Sequence, residues 1–335
     1  QGLDTTLGLK TDGSLWFWGY NNFGQLGTGD AVFRSSPVQL GGLSTWSRVA
    51  TGLIHSIAIK TDNTLWAWGM NGHGNLGLGD IAYRSSPVQV GTLATWAHVT
   101  GAHRGSFAIK TDSTLWVWGY NDQGNLGLGD VAKRSSPVQV GTLINWARVA
   151  SGSYHTVAVQ TNGTLWAWGN GAKGRTGFGD VVNRSSPAQV GTLTTWSQVA
   201  VGYDHAHALK TDGTLWVWGK NLKGQLGLED TVYRSSPVQL GTLTTWSQIG
   251  GSHQHIVAIK TDGTLWAWGQ NQFGQDAQGD IVDRSSPVQV GTLATWTLIG
   301  KGAPAAFNTI ALRWPTTPHT TAPGAPTYAR PVAGS

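Results

Sequence analysis

The sequence predicts an all-β protein, a β-propeller of four-stranded antiparallel blades. Three observations predict this fold. The 335 residues include 48 Gly and 19 Trp with only 12% charged residues, a composition too aromatic for disorder. The pattern LWxW recurs every fifty residues from Trp16 onward. Each fifty-residue unit also contains four short runs with the alternation typical of strands, separated by turn residues.

The second unit illustrates the four predicted strands. The run 56–60 alternates Ile57 and Ile59 on one face, and 64–69 sets Leu65 against the two Trp of LWxW. The run 87–90 opens with Pro, and 95–100 is the fourth strand. A tight TDN turn, TDG in most units, joins the first two runs, and a long Gly-rich loop joins the second and third. Because one such sheet cannot bury both faces, we expect the units to pack radially.

Counting strands favours six blades, with seven as the alternative. The second, third and fourth strands occur six times, whereas the first occurs seven times, from 5–10 to 309–313. The spare strand would close the ring, pair at an edge or replace its equivalent from the other end of the chain. We therefore expect a propeller over 1–313. Residues 314–335, which hold five of the twelve Pro, are expected to form an extended tail or linker.

The motif WGxNxxGQLGxGD…P…V…GxxH resembles the regulator of chromosome condensation repeat over roughly residues 4–313. This resemblance implies a propeller that binds partner proteins through its end loops. Members of the family usually have seven blades. The chromosome-associated member exchanges nucleotide on a small GTPase through an added wedge, for which the uniform spacing here leaves no room. The plant UV-B photoreceptor uses Trp in loops that lack Trp here, while a secreted β-lactamase inhibitor uses the bare propeller as a binding surface.

Residues that recur in every unit are interpreted as structural. An Asp in the long loop precedes an Arg by four residues in each unit, and we expect the two to pair and to hold each loop against the next blade. A ring of charged binding sites is the alternative. The pairs are Asp30/Arg34, Asp80/Arg84, Asp130/Arg134, Asp180/Arg184, Asp230/Arg234 and Asp280/Arg284. The recurrent Trp are expected to pack between blades rather than bind sugars.

No pattern indicates catalysis. No nucleophile stands beside a base and an orienting partner, and six equivalent units offer no single asymmetric pocket. His recurs at 55, 155, 205 and 255, but whole blades separate these positions. We therefore interpret these His as structural and expect no enzyme activity, no metal and no cofactor.

The residues that vary between units carry the net charge of +5 and the candidate binding surface. Four bases in neighbouring long loops would form a basic patch, namely Lys173, Arg175, Lys220 and Lys223. The loops before the first strand would crowd one end of the propeller with His103, Arg104, Tyr154, Tyr203 and His253. Scattered surface charge is the alternative explanation of the basic patch.

These features predict a non-catalytic protein-binding or scaffold module with a protein partner or neighbouring subunits. A glycan-binding lectin is the alternative, and an exchange factor is disfavoured. Nucleic acid is not expected, because nearly all aromatic side chains are committed to packing. Low Lys and Glu with abundant Thr, Ser and Gly favours an extracellular, cell-surface or virion-surface location within a larger assembly, with a cytoplasmic location left open. The chain contains no candidate membrane span.

One loop departs from the others. Four of its equivalents carry Leu where the last unit carries Asp276, and Ala277 replaces a recurrent turn Gly. A carboxylate would be costly at a packed junction between blades. We therefore predict that Asp276 and Ala277 mark the seam of the ring, where the terminal strand or the tail takes the place of the missing Leu contact.

Overall fold

The computed structural model describes residues 5–42, 44–299 and, for the backbone, 311–313. It is an all-β, six-bladed propeller of antiparallel blades, and the prediction of six blades is confirmed. Blade 1 has three strands, β1 Thr5–Leu9, β2 Leu15–Gly19 and β3 Arg34–Gln39. One 3₁₀ turn, Ala172–Gly174, is the only helical segment in the described part of the chain.

Blades 2 to 6 are complete four-stranded sheets whose strands follow chain order from the inside outward. Blade 2 has β4 Trp46–Thr51, β5 His55–Lys60, β6 Leu65–Gly69 and β7 Arg84–Gln89. Blade 3 has β8 Trp96–Gly101, β9 Gly105–Lys110, β10 Leu115–Gly119 and β11 Arg134–Gln139. Blade 4 has β12 Trp146–Ser151, β13 His155–Gln160, β14 Leu165–Gly169 and β15 Arg184–Gln189. Blade 5 has β16 Trp196–Val201, β17 His205–Lys210, β18 Leu215–Gly219 and β19 Arg234–Gln239. Blade 6 has β20 Trp246–Gly251, β21 His255–Lys260, β22 Leu265–Gly269 and β23 Arg284–Gln289.

The spare strand forms a separate pair. β24 (Trp296–Ile299) pairs with β25 (Ala311–Arg313), with Trp296 opposite Arg313, and β24 packs beside blade 6. This is the same register that sets Trp46 opposite Lys60 in blade 2. Among the described residues the terminal strand β25 pairs only with β24, in a two-stranded sheet separate from the blades, so the choice among ring closure, edge pairing and replacement stays a prediction.

The prediction that 95–100 completes the blade of 56–90 is wrong, because each blade takes its innermost strand from the preceding sequence unit. The TDN or TDG hairpin therefore joins the second and third strands of a blade, and it is fixed by its own side chains. In blade 2 the Asp62 carboxylate accepts hydrogen bonds from the Thr64 amide at 2.9 Å and the Thr64 hydroxyl at 2.6 Å. The Thr64 hydroxyl in turn accepts the indole N–H of Trp66 at 2.9 Å. Asn63 adopts a positive φ of 62°, as the turn requires. The sequence T-D-G/N-T-L-W thus specifies both the turn and the side-chain hydrogen bonds that stabilise it.

The long loop is organised by an Asn, an Asp and an Arg. The Asn71 side-chain amide donates to the backbone oxygen of Asp80 at 2.9 Å, and its oxygen accepts the Leu76 amide at 2.9 Å. The Asp80 carboxylate accepts from Arg84 at 2.6 Å. Corresponding Asp–Arg ion pairs occur in all six loops at 2.5–2.7 Å. Each pair lies within one loop, so it braces that loop rather than linking it to the next blade.

Other groups make the junction between blades. The Asn75 carbonyl accepts the indole N–H of Trp118 at 2.9 Å and the Ser106 hydroxyl at 2.8 Å, both from the next blade. Leu76 is fully buried in the same cluster as Trp118. The Trp equivalent to Trp118 is also fully buried in blades 2, 4, 5 and 6. The recurrent Trp therefore form inter-blade packing, as their phase indicates.

Candidate functional site

Two kinds of loop meet at one end of the propeller, which we call the long-loop face. In each antiparallel blade the first and third strands run in the same direction. The connection that follows the first strand and the long loop that follows the third strand therefore lie at the same end of the propeller. All nine candidate binding residues belong to these connections. The opposite end carries the hairpin turns and the links to the next blade.

Three of the four bases of the predicted basic patch converge on a single carboxylate. Asp204, which lies between β16 and β17, accepts from Lys173 Nζ at 2.6 Å and pairs with Arg175 Nη1 at 3.0 Å. Lys220 Nζ lies 3.8 Å from the same carboxylate. The fourth base, Lys223, pairs instead with Asp283 at 3.0 Å. The patch is thus a defined cluster joining blades 4 and 5.

Burial disfavours each isolated charge of this cluster but strengthens the attraction between opposite charges. The side chains of Asp204 and Arg175 are only 3% and 5% exposed, whereas that of Lys173 is 36% exposed. Burial by itself raises the pKa of Asp204, but Arg175 and Lys173 outweigh it and lower the pKa of the carboxyl. Burial lowers the pKa of Lys220, which the Asp204 charge partly opposes. Three cations around one carboxylate leave a local surplus of two positive charges.

An aromatic cluster adjoins these charges. The ring of Tyr203 lies 4.9 Å from that of His253, 6.0 Å from Tyr154 and 6.1 Å from His103, centroid to centroid. These four rings come from blades 3, 4, 5 and 6. The Arg175 guanidinium lies 5.8 Å from the Tyr154 ring and so links the aromatic cluster to the charges. Burial and hydrogen bonding to Tyr154 raise the pKa of Tyr203 to about 12, which keeps the phenol neutral.

Arg104 lies at the edge of this arrangement. Its guanidinium donates to His73 Nε2 at 3.4 Å, in the long loop of blade 2. Burial together with Arg104 lowers the pKa of His103 to about 4, so that imidazole is neutral near pH 7. The structure therefore brings together seven of the nine candidates around Tyr203 and Asp204, and sets Arg104 and Lys223 apart.

Two features of this face were missed in the sequence. Asp204 stands in the variable loop YDH, but nothing in its spacing shows that three bases meet there. A second aromatic group, Tyr20, Phe23, Phe33 and Tyr83, lies on blades 1 and 2, with neighbouring ring centroids 4.9–6.2 Å apart. Phe33 and Tyr83 are half-exposed or more, at 55% and 50%. These four positions vary between repeats, and that variation could have identified the group from the sequence.

The recurrent His are buried within the blades. His55 Nε2 lies 2.8 Å from the Ser106 hydroxyl of the next blade, and burial lowers the pKa of His55 to about 3. His155, His205 and His207 are also fully buried. Across the part of the chain that the structure describes, no three His, Asp or Glu side chains are grouped to hold a metal ion.

The loop at Asp276 differs from its equivalents. Asp276 is buried, and its carboxylate accepts from Arg284 Nη1 at 2.5 Å and from the Gln278 amide at 3.1 Å. Burial raises the pKa of this carboxyl against the opposing effects of the Gln278 amide and Arg284. Ala277 takes the positive φ, 56°, that Gly adopts elsewhere. Trp18 on blade 1 is half-buried, whereas its five equivalents are fully buried.

The assignment of Asp276 and Ala277 to the seam stays a prediction. The segment 314–335 lies outside the described residues, and β25 ends at the other end of the propeller from this loop. What the structure adds is that Asp276 finds its partner in its own blade.

Comparison with known proteins places these features in a family. Models of the regulator of chromosome condensation repeat match residues 12–59, 62–109, 112–159, 162–209, 212–259 and 262–303. A second model of the same repeat matches 46–75, 146–175, 196–225 and 246–275. No curated protein sequence matches the chain. No helix in the described residues has the length and apolar character needed to cross a membrane.

Solved structures agree on the fold. Human WBSCR16 has 22% sequence identity and a TM-score of 0.78, over 89% of this chain and 82% of that one. Prp20p from Saccharomyces cerevisiae, described with its binding properties to Gsp1p and histones, has 20% identity and a TM-score of 0.78, over 92% and 80%. A chain from the structure of Kap60 bound to yeast RCC1 (Prp20) has 20% identity and a TM-score of 0.76, over 89% and 75%. With the repeat matched six times along the propeller, the chain belongs to the family of regulator of chromosome condensation (RCC1) repeat proteins.

Proposed function

We propose that this propeller is a non-catalytic protein-binding module that recognises an acidic partner through its long-loop face. The observation that carries the proposal is the convergence of Lys173, Arg175 and Lys220 on the single buried carboxylate of Asp204. The surplus charge attracts an anionic surface, and the adjoining Tyr203 and Tyr154 rings supply rigid contact area.

Relatives in the fold support a protein partner as the class of ligand. The yeast relative Prp20 is described bound to Kap60 and with binding properties to Gsp1p and histones. The second aromatic group on blades 1 and 2 adds Tyr and Phe side chains of the kind enriched at protein interfaces. Display on a cell or virion surface within a larger assembly is the finer part of the proposal, and it is supported by the composition alone.

A matched pair of double variants tests the proposal. Lys173→Gln with Lys220→Gln removes two charges from the cluster and leaves the buried Arg175–Asp204 pair in place. Arg48→Gln with Arg148→Gln removes two charges from exposed positions on inner strands, outside the cluster. Partners retained by the wild-type chain from an extract of its source are identified, purified and titrated against each variant.

The expected result is a loss of affinity of tenfold or more for the cluster variant, with a weaker dependence on salt, and little change for the control. Equal affinity for the two variants would contradict the proposed face. Binding on a glycan array with no protein partner would favour the lectin alternative. Accelerated nucleotide release from a small GTPase would favour an exchange factor.

A further inference from the structure

Grooves lined by tryptophan lie between successive blades on the outer part of the propeller. The groove between blades 1 and 2 has a volume of about 510 Å³ and is lined by Gln39 and Gly41 on one side and by Trp46, Trp66 and Pro87 on the other. The groove between blades 2 and 3, of about 370 Å³, is lined by the equivalent Gln89, Gly91, Trp96, Trp116 and Pro137. The same groove therefore occurs at these two successive junctions between blades.

The two Trp of each groove are held rigidly. Trp66 stands edge-on to Trp46, with ring centroids 6.2 Å apart and an interplanar angle of 83°. Lys60 Nζ lies 3.7 Å from the Trp66 ring centroid, and the Trp66 indole N–H is bound to Thr64. Equivalent edge-on pairs recur in blades 3 to 6 with centroids 5.8–6.1 Å apart. Trp46 is nearly buried, whereas Trp66 remains half-buried and offers part of its ring to the groove.

The rim of the groove suits a ligand that is rich in carbonyl groups and poor in N–H groups. Gln39, Lys60 and Ser86 carry hydrogen-bond donors, and the described lining of this groove includes Arg34 and no carboxylate. A polyproline II helix has this chemistry, because proline lacks an N–H and the backbone carbonyls point outward. Aromatic grooves that recognise PxxP segments use the same combination of flat rings and peripheral donors.

The chain itself contains such a ligand. Residues 314–335 hold five Pro and two PxxP segments, Pro315–Pro318 and Pro323–Pro326. The preceding strand β25 ends with Arg313 opposite Trp296, at the end of the propeller where Trp46 and Lys60 also lie. A 22-residue polyproline II segment would span roughly 68 Å, against the ~10 Å separation of packed sheets. The segment thus starts at the correct end and can reach across several blades.

We propose that residues 314–335 dock as a polyproline II segment in the inter-blade tryptophan grooves of their own propeller. Two equivalent grooves and two PxxP segments allow two contacts at once, which raises the effective affinity of a tethered segment. The docked segment occupies the outer surface between blades, and the lining of these grooves includes none of the nine candidate binding residues, so the Asp204 cluster stays free.

The test uses a full-length variant in which Pro315, Pro318, Pro323 and Pro326 are replaced by Ala, together with a synthetic peptide of residues 314–335. The peptide is expected to bind the variant at least tenfold more tightly than the wild-type chain, whose tethered segment competes at millimolar effective concentration. A peptide with the same four Ala is the control and is expected not to bind. Unfolding of the variant in urea checks that its propeller is intact.

Two further measurements complete the test, one of where the peptide binds and one of whether docking occurs within a single chain. A photoreactive group at Tyr328 of the peptide is expected to cross-link to groove residues such as Gln39 or Trp66. Cross-links to the Asp276 loop, or no binding to the variant, would overturn the proposal. Sedimentation of the wild-type chain is expected to be independent of concentration. Self-association that disappears in the Pro-to-Ala variant would show that the groove takes the segment of a second copy and would overturn docking within one chain.

Discussion

At the scale of single residues, the main feature is one buried carboxylate that serves several cations. Asp204 is 3% exposed and balances Arg175, which is 5% exposed, while Lys173 and Lys220 reach it from the surface. Removing a partner from a buried pair leaves an uncompensated charge, which costs far more than breaking an exposed pair. The structural and binding roles of the cluster therefore reside in different residues, Asp204 and Arg175 for stability and the two Lys for charge.

We expect Asp204→Asn to lower the free energy of unfolding by about 3–5 kcal/mol, because Arg175 would remain buried without a counter-charge. Asp230→Asn is the matched control, since its pair with Arg234 is partly exposed, and a loss of about 1 kcal/mol or less is expected. Urea unfolding of the three proteins measures both changes. Equal losses would show that Asp204 contributes no more than a surface pair.

At the scale of elements, the long loops depend on glycine where one blade meets the next. Gly127 has a φ of 74°, and a Cβ there would lie 2.7 Å from Trp168 Nε1. Gly141 also has a positive φ, 56°, but a Cβ there would meet no described atom within 4 Å. Both positions require a positive φ, but only Gly141 has room for an added Cβ.

This difference predicts unequal costs for the same substitution. Gly127→Ala is expected to destabilise the propeller by about 1–3 kcal/mol more than Gly141→Ala, since only the first forces Trp168 to move. Denaturant midpoints and Trp fluorescence of the two variants provide the measurement. Identical midpoints would indicate that Trp168 moves at the junction between blades 3 and 4 without lowering the free energy of unfolding.

At the scale of the whole molecule, neutral histidines are built into the ring. Burial lowers the pKa of His55, His155 and His207 to about 3, and that of His205 well below its ordinary value of 6.5. In the unfolded chain these groups take up protons near pH 6.5, whereas in the folded chain they do not. The contribution of these buried neutral histidines to the free energy of unfolding is therefore fully present above about pH 6.5, and it is lost as the pH falls toward 3.

The unfolding free energy is expected to fall steeply between pH 6.5 and 4.5, by up to about 1.4 kcal/mol per pH unit for each of these histidines. Hydrogen bonds from Thr64 and from the Ala82 amide lower the pKa of the Asp62 and Asp80 carboxyl groups, so these groups contribute little in this window. Urea unfolding at several pH values between 7 and 4.5 measures the slope. A flat profile would mean that the histidines become protonated without unfolding.

The sequence alone determined the architecture, because every blade repeats the residues that build it. The fifty-residue period, the TDG turns with their Thr and Trp, and the Asn–Asp–Arg loop are local patterns whose hydrogen bonds close within one unit. The spacing of Leu76 and Trp118 likewise indicated packing between blades, which the structure contains. Six blades followed from the strand count.

Only the tertiary structure decided how the variable residues combine. Lys173 and Asp204 are thirty-one positions apart, and His103 and Tyr203 one hundred, so no local pattern could show that each pair is in contact. Radial packing brings neighbouring blades together at one end and converts a scattered surplus of bases into a cluster around one carboxylate. Residues that repeat are constrained by the period and can be deduced from it, whereas residues that vary acquire their roles from the neighbours that ring closure brings to them.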